Sequence, residues 1–233
     1  MARRNLNIAD VLPQLSLLLD LLSEEQRATI TKHATVHVYK KNETIYAEGD
    51  KPAYLFCLIS GKAKIFKEGV GGRSQIMRVV RPVGYFGYRA AFAGQNYITS
   101  CITIEPSMLV RIPVGTVIHL ILENPRLGWF FTERLALELG MADERMVNLT
   151  QKHIRGRLAE SLLFLQESYG MEEDGYTLSI YLSREDLASL SNMTTSNAIR
   201  TLSAFATEKM VAVDGRKIKI LDKHRLEKIS RIG

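Results

Sequence analysis

Thr195, Ser196, Asn197 and Arg200 stand at the start of a helix predicted over 195–208. A tight connector, Asn192-Met193-Thr194, precedes it, and before that comes a helix opening at Ser183-Arg184-Glu185-Asp186. A serine with an acid three residues later is an N-cap pattern. Leu187 and Leu190 supply the inner face of the first helix, and Ala198, Ile199, Leu202 and Phe205 that of the second. Val211-Ala212-Val213 and Lys217-Ile218-Lys219-Ile220 then flank Asp214-Gly215, a strong hairpin signal. Helix, turn, helix and hairpin in this order predict a winged helix-turn-helix, whose second helix presents its first residues to base edges in a major groove. Arginine takes guanine and asparagine takes adenine with two hydrogen bonds, each pair discriminating by about 1–3 kcal/mol. Thr195, Ser196, Asn197 and Arg200 are therefore the candidate base readers, Thr195 and Ser196 being equally suited to capping the helix.

Charge agrees with a polyanionic partner. The chain has a net charge of +6, and residues 194–233, with nine basic and four acidic side chains, hold +5 of it. Enzyme chemistry finds no foothold: there is no Walker loop, no Gly-x-Ser-x-Gly, no His-Glu-x-x-His and no cysteine pair at zinc spacing. Cys57 and Cys101 lie in apolar runs and read as buried small hydrophobes. His33, His37 and His119 form no ligand pattern. No apolar run is long enough to cross a membrane, and Met1-Ala2-Arg3-Arg4-Asn5 does not open a signal peptide, so a cytoplasmic protein is expected.

The elements that must carry these residues change texture along 233 positions. Residues 1–34 read as helical, with Leu15, Leu18, Leu19 and Leu22 at helical spacing and Ser23-Glu24-Glu25-Gln26 opening a second short helix. From His37 to about Val114, short β-branched and aromatic runs alternate with Gly, Asp and Pro, which predicts a compact β-roll. Helical periodicity returns after Pro125, where Leu135, Leu139, Ala142, Met146, Leu149 and His153 fall on an a/d stripe. That stripe suits pairing with a second copy, the alternative being packing on the chain's own roll. Gly156 is the expected hinge, a helix follows over about 157–169, and the final segment begins with a strand. The expected fold class is α+β, divided into N-terminal helices and sensory roll (1–124), dimerisation helix (125–153) and winged helix-turn-helix (154–233).

The chain resembles CRP/FNR-type transcription regulators over nearly its whole length. The resemblance rests on Glu48-Gly49-Asp50, Ile59-Ser60-Gly61-Lys62, Gly84-Tyr85-Phe86-Gly87, Ile154-Arg155-Gly156-Arg157-Leu158-Ala159 and Leu182-Ser183-Arg184-Glu185-Asp186-Leu187-Ala188, in this order. It implies a homodimer that binds an inverted repeat in double-stranded DNA and acts on RNA polymerase. Arg200 matches the family's base-reading arginine, Arg184 a phosphate contact, and Arg216 and Lys217 lie on the wing as further phosphate contacts, which position without specifying. Ser196 stands where the family often has glutamate and Ile199 where the fumarate–nitrate regulators have serine, so a half-site unlike that of either best-known branch is expected.

The resemblance also frames the ligand. A cyclic-nucleotide cassette needs a Gly-Glu pair and an arginine; here Gly87-Tyr88 replaces the pair, and Gly94-Gln95-Asn96-Tyr97-Ile98-Thr99 has no arginine, leaving Arg89 as a substitute. Cyclic AMP is disfavoured. An iron–sulfur cluster is disfavoured too, since residues 1–35 lack cysteine. The stretch Phe86-Gly87-Tyr88-Arg89-Ala90 is most similar to the hybrid-cluster-protein regulators, which implies a nitrosative-stress response and, in some members, haem. Haem iron accepts methionine, and Met77, on a strand matching a pocket-lining part of the roll, and Met141, off the heptad seam, are the candidate ligands, with core filling the ordinary use of both. A roll that has lost its ligand, giving constitutive DNA binding, and a ligand carrier without DNA activity are the competing readings.

Overall fold

A computed structural model describes residues 8–233. The expectation of helix at positions 1–7 lies outside the described residues. The described chain forms two compact units, one of residues up to Lys67 plus Met77–Leu139, the other of Glu68–Ile76 plus Gly140–Gly233. The α+β expectation holds, with a β-rich N-terminal part, a long helix and a C-terminal helix-turn-helix. No described helix is long and apolar enough to cross a membrane.

The first unit opens with short turns: α1 (Ile8–Val11), a 3-10 turn (Leu12–Leu15) carrying Pro13, and α2 (Ser16–Leu19). Leu15, Leu18 and Leu22 are buried, so the apolar spacing survives although no continuous helix forms. α3 (Glu24–His33) starts at Ser23 in a full capping box with Gln26. Then come β1 (Thr35–Tyr39), β2 (Thr44–Tyr46), β3 (Tyr54–Ser60), β4 (Ala63–Glu68), β5 (Ser74–Val80), β6 (Gly84–Phe86), α4 (Tyr88–Phe92), β7 (Ser100–Thr103) and β8 (Ser107–Pro113). They make two four-stranded sheets, ordered β1-β8-β3-β6 and β2-β7-β4-β5.

β3 is buried on both faces from Leu55 to Ile59. Its alternation divides the core: Phe56 and Leu58 join Tyr46, Phe86, Tyr97, Cys101 and Leu109 in one cluster, while Leu55, Cys57 and Ile59 join Leu18, Ile30, Val117, Leu120, Leu127 and Phe131 in another. Both cysteines are fully buried and unpaired in disulfides, and burial pushes the Cys57 thiol up to about 12. They serve as packing, as expected.

α5 (Val114–Glu123) was not anticipated. Its β-branched residues resemble strand, but Val117 and Leu120 at helical spacing bury against the roll and decide the outcome. α6 (Pro125–Gln151) begins at the proline, as that residue's fixed backbone favours. The next break falls at Lys152-His153 rather than at Gly156, because His153 has an extended backbone and caps α7 (Ile154–Tyr169). Gly156 lies buried inside α7, where a Cβ would come within 2.7 Å of the Gly233 backbone. Its role is close approach, a correction to the hinge expectation.

The second unit continues with α8 (Arg184–Leu190), α9 (Thr195–Thr207), β9 (Val211–Asp214), β10 (Lys217–Ile220) and α10 (Lys223–Ile232). The strand expected before α8 reduces to isolated bridges, Met171 with Leu178 and Thr177 with Lys219. α10, also unanticipated, is capped by Asp222, whose carboxylate accepts from the Arg225 amide at 2.9 Å. The hairpin pairs Asp214 with Lys217, so its two loop residues are Gly215 and Arg216, one position later than expected. Gly215 takes the positive φ, 53°, that this tight loop demands.

Candidate nucleic-acid interface and ligand site

Both helices of the helix-turn-helix are fixed by side-chain caps. Ser183 Oγ accepts from the Asp186 amide at 3.0 Å, and Thr194 Oγ1 accepts from the Asn197 amide at 3.2 Å. Because Thr194 is the cap, Thr195 and Ser196 are not needed for it, and both are exposed. Leu187, Ala198, Leu202 and Phe205 form the buried seam. Ile199 is 47% exposed, which corrects the expectation that it faces inward. The sequence held the signal: Ala198, Leu202 and Phe205, at spacings of four and three, make a stripe that Ile199 leaves. The outer face of α9 thus shows Thr195, Ser196, Ile199 and Arg200, with Asn197 partly covered. One arginine fork, two hydroxyls and one apolar side chain are therefore presented together on one face of the helix.

Arg216 and Lys217 are exposed at the wing. Lys217 lies 3.9 Å from Glu172 and 5.4 Å from the Tyr181 ring centre. Arg184 Nη2 donates to the Gly215 carbonyl at 2.6 Å. It ties the first helix to the wing turn. Behind α8, Ser189 Oγ donates to the Ser74 carbonyl at 2.7 Å and accepts from the Ile76 amide at 2.9 Å. Arg145, largely buried, donates to the carbonyls of Ile76 at 2.7 Å and Leu190 at 2.9 Å.

In the first unit, the roll's interior is aromatic. Tyr46 stacks on Tyr97 with ring centres 3.8 Å apart, and Phe56 on Phe86 at 5.2 Å. The Tyr97 hydroxyl donates to the Gly87 carbonyl at 3.2 Å. Arg78 pairs with Glu138 of α6 and donates to the Tyr85 carbonyl at 2.7 Å, while the Tyr88 hydroxyl donates to Glu138 at 3.3 Å. Burial, then the Glu138 charge, hold Tyr88 above the ordinary phenol range, so it remains a donor.

Two family models match, the cyclic nucleotide-binding domain over residues 36–124 and the Crp-like helix-turn-helix domain over residues 156–229. The chain belongs to the CRP/FNR family of transcription regulators. Among its relatives is the CRP-like cAMP-activated global transcriptional regulator of Mycobacterium tuberculosis, 25% identical over 88% of this chain and 92% of that one. The global nitrogen regulator of a Nostoc species is 23% identical over 84% and 89%. The fold matches that of FixK2 from Bradyrhizobium japonicum with a TM-score of 0.76 at 22% identity, over 84% of this chain and 96% of that one.

Against that family, the ligand region departs in three places. Tyr97 lies in the loop that lacks the phosphate-binding arginine, and it is buried on Tyr46 rather than open to an anion. Tyr88, in place of the ribose-binding glutamate, is turned to Glu138. Arg89 is exposed, and Arg78 pairs with Glu138. Sequence reasoning missed Arg78 and Glu138 because no local pattern links residues sixty positions apart. Of the candidate haem ligands, Met77 is 50% and Met141 58% exposed, and neither belongs to either buried cluster of the roll. No group of three or more metal-ligating His, Cys, Asp or Glu side chains occurs among the described residues.

Proposed function

We propose that this CRP/FNR regulator works as a homodimer, paired through the a/d stripe of α6, that reads an inverted repeat in double-stranded DNA with one α9 per half-site and acts on transcription through RNA polymerase. The observation that carries the reading is the outer face of α9, where Arg200, Ser196, Thr195 and Ile199 stand clear of a fully capped helix beside an exposed basic wing. Pairing is supported by Leu139 and Met146 of the stripe, each 63% exposed in the single chain.

The cyclic AMP that activates the M. tuberculosis relative is not carried over. Tyr97, Tyr88 and the Arg78–Glu138 pair occupy or satisfy the groups that a nucleotide phosphate and ribose would engage. A haem-based response to nitric oxide likewise draws no support from the placement of Met77 and Met141.

The test is fluorescence anisotropy with a duplex selected from a randomised library, against a random duplex. Arg200→Ala should weaken the selected site by about 1–3 kcal/mol and leave the random duplex nearly unchanged. Lys217→Ala should weaken both alike and lower the salt slope by about one. Equal losses from both variants on both duplexes would remove α9 as the reading helix.

A further inference from the structure

A cavity of about 340 Å³ opens at one end of the roll, lined by Ile45, Tyr46, Tyr54, Phe56, Tyr97 and Arg111, with Asp50 and Lys51 at its rim. Its lining includes no residue of 77–90 and none of α6, although two lining side chains touch the Gly87 turn, Tyr97 through its bond to the Gly87 carbonyl and Phe56 by stacking on Phe86. At the small end of the roughly 300–1,000 Å³ typical of ligand pockets, it suits a single ring better than a nucleotide.

Arg111 is the unusual member. It lies on β8 between Thr35 of β1 and Phe56 of β3, and sheet alternation turns it to the same side as Phe56 and Leu109, into the roll. Its guanidinium lies 4.7 Å from the Tyr54 ring centre, donates to His37 Nε2 and bonds to Tyr39. Nε is buried and has no hydrogen-bond partner. Among the described residues, no carboxylate pairs with Arg111. Asp50, the acid nearest by lining, has one carboxylate oxygen accepting from the Ala47 amide at 2.9 Å. A half-buried cation with an unused donor is costly unless an anion completes it. Arg111 also depresses His37, after burial, so His37 remains a neutral acceptor and does not add a competing charge.

We infer that this cavity is a binding site for a small planar aromatic carboxylate, its ring held among Tyr46, Tyr54, Phe56 and Tyr97 and its carboxylate on the Arg111 guanidinium that lines the cavity. Guanidinium and carboxylate match as a two-bond fork, and aromatic walls favour a flat ring by offset or edge contacts. The inference does not depend on the DNA-binding reading.

Isothermal titration calorimetry of the full chain with benzoate, benzamide and acetate tests it. Benzoate should bind saturably at one site per chain, with benzamide and acetate each at least tenfold weaker. Arg111→Met should cost at least tenfold, and Tyr54→Leu a smaller loss, while thermal melting and DNA affinity without benzoate stay as in the parent. If Arg111→Met does not melt cooperatively, Arg111→Lys takes its place, keeping the charge but losing the fork, and should still weaken benzoate severalfold. Absence of saturable benzoate binding, equal affinity for benzamide, or unchanged affinity in the folded Arg111 variant overturns the assignment.

Discussion

The Arg78–Glu138 pair gives the most direct test of how α6 is held to the roll. Their side chains are 30% and 29% exposed, between the open surface and the deep interior. Removing one partner of a fully buried pair costs about 3–5 kcal/mol, whereas exposed pairs are worth about 0–1 kcal/mol. Glu138→Leu removes the carboxylate from Arg78 and also the acceptor of the buried Tyr88 hydroxyl, although that bond is long at 3.3 Å. Arg78 retains the Tyr85 carbonyl, which limits the damage. The expected loss is therefore about 2–3 kcal/mol, and Glu138→Gln, which keeps an acceptor, should lose about 1 kcal/mol. A double-mutant cycle with Arg78→Met, read by urea unfolding at pH 7, should give a coupling of about 1–2 kcal/mol. Raising the salt should reduce it only slightly, since partly buried pairs are weakly screened. A coupling within about 0.5 kcal/mol of zero would refute the reasoning, because water would then be serving Arg78 as well as Glu138 does.

Three other outcomes follow from the same physical rules. Ser189→Ala should cost about 2 kcal/mol and speed hydrogen exchange at the Ile76 amide, since it strips a partner from both Ile76 N and Ser74 O; unchanged protection of that amide counts against the contact. Gly156→Ala should lower thermal stability by about 1–3 kcal/mol through overpacking, because the new Cβ meets the Gly233 backbone at 2.7 Å; a neutral result would show that the chain end yields freely. His37 is held below its ordinary 6.5 by burial and by Arg111, so the folded state binds its proton less readily than the unfolded chain, and stability falls as pH drops below about 6.5. His37→Gln should flatten that fall between about pH 7.5 and pH 5 in urea midpoints, and parallel curves for parent and variant would dismiss His37 as its source.

The parts of the fold that were legible are those in which local pattern and tertiary burial agree. Leu55–Ile59 reads as strand because it is a short, continuous apolar run bounded by turns, and it is buried on both faces between two clusters. Ser183 and Thr194 lie where hydroxyls are expected before helices, and both cap them. Where pattern and burial conflict, burial prevails. The run Val114-Gly115-Thr116-Val117-Ile118 favours strand by composition, but it follows Pro113 and must bury Val117 and Leu120 on one side, which only a helix does. Gly156 shows the opposite limit: the residue looks like a hinge in sequence, and only contact with a segment far along the chain reveals that its missing Cβ is what matters.

The two candidate sites differ for a related reason. The α9 reading face is a property of one helix, so the spacing of Ala198, Leu202 and Phe205 suffices to turn Arg200 and Ile199 outward. The ligand region is assembled from β2, β3, the loop before β7, β8 and α6, and its decisive contacts join residues about sixty or seventy positions apart. Sequence can show that the phosphate-binding arginine is missing. It cannot show that Tyr97 closes over Gly87 instead, that Glu138 neutralises Arg78, or that Arg111 faces an aromatic cavity with an unused donor. Loss of one charge from a binding loop is therefore weak evidence that a roll has lost its ligand. The stronger evidence is where the remaining cations find their anions: among the described residues Arg78 pairs with Glu138, whereas Arg111 has a buried Nε without a partner.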